Sequence, residues 1–186
     1  MVFILGWVIG GLILLALVVV FLYYNRFQVL SNRIDNSLSQ IDVQLKRRAD
    51  LIPNLIEIVK GYAKHETAAI KAVTDARKAM LGAKDLPGKV KADAGLEKAL
   101  KTIFAIAEGY PDLKANTNFL ELQRELAATE DKVAYSRQFY NDSILSYENK
   151  RKTFPGNIFA SMFNFKEKKY IQISEAERKV VKVDFE

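Results

Sequence analysis

A chain of 186 residues with no cysteine and one histidine excludes a cysteine nucleophile and offers no metal-ligand spacing. Its formal net charge of +6 points to anionic partners, with lipid headgroups ahead of nucleic acid because no groove-reading or base-stacking motif is visible. Once the apolar N-terminal run is set aside, about 160 residues remain, a size that fits one domain with its own core.

The first element is that apolar run, Val2 to Tyr24, which contains no charged residue. As a helix it covers ~34 Å, enough to cross a hydrocarbon core of ~30 Å. Trp7 near one end, with Tyr23, Tyr24 and Arg26 at the other, supplies the amphipathic rings and snorkelling cation of a membrane interface. A cleaved secretory signal fits less well, since a charged leader is missing, the run is too long and no small-x-small site follows. Gly6, Gly10 and Gly11 clear one helix face, which permits two spans to approach closely, although glycine is also simply common in membrane helices. Arg26, Arg33 and then Lys46, Arg47 and Arg48 follow the run. The positive-inside rule therefore predicts a single-pass protein of the inner membrane with its C-terminal part in the cytoplasm.

Beyond Tyr24 the pattern becomes striped without a turn signal. Phe27, Leu30, Ile34, Leu38, Ile41, Leu45, Ala49 and Ile52 fall three or four apart, one face of a helix that continues from the span. Pro53 predicts a kink or short break, after which the period resumes through Leu55, Val59, Ile70, Val73 and Met80. Turn chemistry at Gly82 to Gly88 ends it, and a shorter amphipathic helix is expected from about Ala92 to Glu108. Asn118 three residues before Glu121 has the spacing of a capping box and opens a helix reaching about Lys152. The fold class is all-α, an N-terminal transmembrane helix continuing into a long up-and-down bundle. The expected organisation is an anchor at 1–25, a bundle at 26–157, and an aromatic, basic segment with a tail at 158–186.

In that last part, Ile158, Phe159, Met162 and Phe163 share a helical face beside Lys166, Lys168 and Lys169. This suits an interfacial membrane helix or a partner surface, the competing reading being that the rings fold back and cap the bundle. Val181, Val183 and Phe185 alternate with charged residues as a strand does, and strand addition onto a second copy competes with a tail that has no fixed structure.

No catalytic constellation is found, and no cofactor site. His65, in Tyr62-Ala63-Lys64-His65-Glu66, reads as a surface histidine on a helix. Asp50, Asp112, Glu125 and Glu130 read as caps or partners of Lys and Arg. Arg48, Arg124 and Arg137 read as solvated, and the first choice for a buried, paired arginine is Arg137, two turns from Glu130.

The residue blocks themselves resemble those of the LemA family. The resemblance rests on Arg48, Asp50 to Leu55, Tyr110 to Asn116, Phe119, Leu122, Gln123, Glu125, Leu126, Thr129, Glu130, Arg137, Tyr140, Asn141, and Phe154 to Asn157. It implies a bacterial membrane protein with one N-terminal span, a helical bundle and no established catalytic role. The function expected is a non-enzymatic scaffold assembled as a membrane-bound homo-oligomer. The alternatives are an adaptor or sensor that docks another membrane protein, and a membrane-remodelling protein.

Overall fold

The computed structural model describes residues 1–171, the Val2 side chain apart. The fold is all-α. Its elements are α1 (Val2–Tyr62), α2 (Thr67–Gly82), α3 (Leu86–Ala107), α4 (Pro111–Lys114), α5 (Thr117–Lys152) and α6 (Gly156–Met162). The strand pattern at Val181, Val183 and Phe185 lies outside the described residues. The chain divides into two units, one comprising 1–37 with 138–170 and the other comprising 38–137. Both α1 and α5 contribute to each.

The stripe of α1 is buried as its spacing requires. Phe27, Leu30, Ile34, Ile41, Leu45, Ala49, Ile52, Leu55 and Val59 are all core residues, and Ser37 takes the place next to the half-buried Leu38. Ser37 spends its hydroxyl on the carbonyls of Arg33 and Ile34, so its burial leaves no donor unmet. Towards the N-terminus the helix is long and apolar enough to cross a membrane, and its apolar window is wholly exposed.

Pro53 does not break α1. The helix passes through it and ends nine residues later, at Tyr62. Pro53 has no N–H to give the carbonyl of Ala49, four residues back, and Ala49 is fully buried. Arg77 of α2 supplies the missing donor, its Nε lying 2.8 Å from Ala49 O. The exposed Pro53 is thus tolerated because a neighbouring helix satisfies the group that the proline orphans. Replacing Arg77 with methionine should cost about 1–2 kcal/mol in chemical denaturation of the full chain in mild detergent, the penalty for an unmet buried carbonyl. Loss of no stability would show that Ala49 O finds another donor.

Three boundaries differ from the sequence expectation. The first interruption falls at Ala63–Glu66, so His65 stands exposed in a turn instead of on a helix. Residues 85–88 open α3 instead of separating helices: Asp85 caps it by accepting from the Gly88 N–H at 3.0 Å, and Pro87 occupies the first turn, where a missing N–H costs nothing. Asn116, and not Asn118, caps α5, its Oδ1 accepting from the Phe119 N–H at 3.0 Å. The competing asparagine two residues on carried the capping-box spacing, but the chain had already entered the helix at Thr117.

Candidate functional site

In the unit formed by 38–137, the buried stripes of α1 and α3 each carry a charged residue, and α5 brings the half-buried Glu130 to them. Arg48 follows Leu45 by three positions on α1, and Asp93 precedes Leu96 by three on α3. Arg48 is 2% exposed and Asp93 1%. The Arg48 Nη1 donates to Asp93 Oδ1 at 3.0 Å, and Nη2 donates to Glu130 Oε2 on α5 at 3.3 Å. Arg137 brings its Nη2 to 3.7 Å from Asp93 Oδ2, so this carboxylate lies between two guanidinium groups. Burial pushes the Asp93 carboxyl up, against the opposing pull of Arg48 and Arg137. Glu130 is also raised, by burial and then by the nearby negative charge of Glu97. Among the described residues, Arg48 Nε and Gln44 Oε1 are buried without a hydrogen-bond partner. The cluster ties three helices together and turns its charges on one another, which is an arrangement for holding register.

One end of the same unit is closed by side chains from the turns. Tyr110 donates its hydroxyl to Glu66 Oε1 at 3.0 Å, and the Asn116 amide donates to the Tyr62 hydroxyl at 3.0 Å. Leu113 of α4 is fully buried beneath them. An open groove of about 600 Å³ runs along the end of α1 and α2, lined by Lys60, Lys64, Lys71 and Lys78 with Thr67, Ile70, Thr74 and Asp75. Lys71 is paired with Asp75 across one turn.

The other unit holds an aromatic cluster. Phe159 stacks on Tyr23 with centroids 4.6 Å apart, Phe163 meets Tyr24 edge-on at 5.1 Å, and Phe165 stacks on Phe27 at 4.7 Å. The Lys150 ammonium sits 4.0 Å over the Tyr23 ring. After α6 the chain returns along α5, where the Tyr147 hydroxyl donates to Lys166 O and the Tyr140 hydroxyl to Lys169 O. The Lys168 N–H donates to Glu148 Oε1, whose other oxygen takes Arg151 at 2.8 Å. Burial pushes Glu148 up, but the bonds from Arg151 and the Lys168 N–H outweigh it and leave the carboxyl below its ordinary value.

These placements revise several expectations. Arg48 is the buried arginine and Arg137 only the looser second partner; Arg124 is exposed. Asp50 is exposed and pairs with Lys46 on its own helix. The four apolar residues of α6 and its end divide, with Phe159 and Phe163 packed on α1 and Ile158 and Met162 exposed. Gly6, Gly10 and Gly11 face open space, and Trp7 and Arg26 are exposed. Asp93 and the lysine groove were missed. The sign of Asp93 was its place on the α3 stripe, one turn before Leu96 and two before Leu100.

The family model described as the LemA family matches residues 37–185. The chain belongs to the LemA family. Protein LemA of Metamycoplasma hominis is 28% identical over 165 residues, covering 85% of this chain and 74% of its own length. Magnetosome proteins MamQ 1 and MamQ 2 of Paramagnetospirillum magneticum are each 25% identical over 178 residues, covering 80% of this chain. The match takes in 64% of the length of either MamQ protein, less than two thirds. The blocks by which the sequence resembles LemA proteins occupy defined places here. Arg48, Glu130 and Arg137 are in the ion cluster, Tyr110 to Asn116 close the turns, and Phe154 to Asn157 make the α5–α6 connection.

Proposed function

We propose that this LemA-family chain is a non-enzymatic scaffold, anchored by α1 as a single inner-membrane span with its soluble part in the cytoplasm, and assembled as a homo-oligomer. The observation that carries the reading is the apolar end of α1. It is wholly exposed, and a Cβ at Gly6, Gly10 or Gly11 would touch nothing, so an uncovered small-residue face is offered to a second span. The cluster of Arg48, Asp93, Glu130 and Arg137 supports a role by contact, because its groups are engaged with one another across three helices.

In mild detergent the full chain should elute as a large homogeneous assembly. Replacing both Gly6 and Gly10 with leucine should weaken association of the spans by about tenfold, a loss of about 1.4 kcal/mol. A monomer in the parent protein, or equal association in the variant, would remove the scaffold reading. The lysine-lined groove favours a second reading, an adaptor that receives an acidic segment of another membrane protein. That reading requires small particles carrying a different polypeptide.

A further inference from the structure

We propose that α6 and the turn before it form a second membrane contact, in which Phe154, Ile158 and Met162 enter the headgroup–acyl boundary and Lys152 and Lys166 hold anionic headgroups. The proposal rests on the reading of α1 as a span.

The aromatic stacks fix where this surface stands. Phe159 and Lys150 both lie against Tyr23, at the end of the apolar run, so the connection between α5 and α6 sits at the level where α1 would leave the lipid. Val19 and Val20 are half-buried, whereas Phe3 to Val18 are exposed, so the cover on α1 begins inside the apolar run. At that level the protein exposes what water disfavours. Phe154 is 81% exposed, Met162 61% and Ile158 50%. Ile158 and Met162, four apart on one helix, present the same side. Lys152, two residues before Phe154 and loosely paired with Glu148 at 3.5 Å, and Lys166, four residues after Met162, are exposed beside them and offer positive charge to an anionic leaflet.

A free helix of seven residues would be too short to order itself on a bilayer. Here the ordering is already done, because the adjoining side of α6 is fastened to Tyr23 and Tyr24 through Phe159 and Phe163. What remains for the outward residues is transfer of apolar area, which binds without a further cost in chain entropy. The basic residues then add an attraction that salt weakens.

The absence of native cysteine permits a direct test on the full chain. Single cysteines replacing Phe154, Ile158, Met162 and, as a control on the exposed side of α5, Ser146 are labelled with a polarity-sensitive fluorophore. The proteins are placed in nanodiscs of phosphatidylcholine and phosphatidylserine, with and without bromine on shallow acyl carbons. Labels at 154, 158 and 162 should be quenched by brominated lipid about twofold more than the label at 146, and shielded from aqueous iodide. Equal iodide access at all four positions overturns the proposal. Shielding from iodide without quenching by bromine also overturns it, since a second protein surface then covers α6. Failure of the chain to co-elute with the discs is a different result, and it strikes the span itself.

Discussion

Replacing Arg48 with methionine should destabilise the full chain in mild detergent by about 3–5 kcal/mol at neutral pH, measured by chemical denaturation. The magnitude follows from what is left behind. Asp93 is 1% exposed, and among the described residues the cation left beside it without Arg48 is Arg137, at 3.7 Å. A carboxylate that was already pushed up by burial loses both the charge and the hydrogen bond that opposed the push. Its folded pKa therefore rises further above the unfolded value of about 4. The folded variant then binds more protons than the unfolded chain between those two values, so its stability falls as pH rises through that window. The variant should accordingly be weakest at neutral pH and above, and should recover part of its deficit when the pH is lowered towards 5. A deficit that does not change with pH would mean that packing of the Arg48 stem, and not the charge on Asp93, is what the substitution removes.

A second variant separates the pair from its environment. Replacing Arg48 with methionine and Asp93 with leucine together leaves no buried charge unmet, and a buried ion pair exchanged for apolar side chains of similar size is often neutral in stability. The double variant should therefore be more stable than either single one. Glu130 does not reverse this expectation, because it is nearly half exposed and regains water when Arg48 is gone. The contribution of the cluster is then specificity: three helices meet at one ionic point that cannot be made if any of them slips by a turn.

The all-α class, the buried stripe of α1 and the extent of α5 were legible because each is a periodic signal repeated over many residues. Phe27 to Ile52 mark eight positions of one face, and every one of them is buried or half-buried. What failed depended on partners distant in the chain. Pro53 looks like a break because the sequence does not show that Arg77 will donate to Ala49 O. Arg48 looks solvated because Asp93, its partner, lies 45 residues away on another helix. Caps failed for a different reason. Asn116 and Asn118 have the same chemistry, and only the backbone decides which one precedes the first turn. In the aromatic segment, periodicity placed four apolar side chains on one face but could not say which would be held by Tyr23 and Tyr24.

Gly156 should be as intolerant as Arg48 for a steric reason. It is the first residue of α6 and is buried, and a Cβ built on it would lie 2.0 Å from the carbonyl oxygen of Lys150. That oxygen belongs to the backbone of α5, so the clash is relieved only by displacing the end of one helix from the start of the next. Replacing Gly156 with alanine should cost about 3 kcal/mol. The structural consequence is local to the unit in which it sits. When α6 lifts, Phe159 leaves Tyr23 and Phe163 leaves Tyr24, and the returning segment that accepts from Tyr147 and Tyr140 loses its point of departure. Limited proteolysis of the full chain in detergent should then cut between Thr153 and Phe165, with α2 and α3 as resistant as in the parent. Alanine at the exposed Ser161 of the same helix should leave the digestion pattern unchanged. If the Gly156 variant resists protease as the parent does, the close approach of α6 to Lys150 is not what fixes the helix in place.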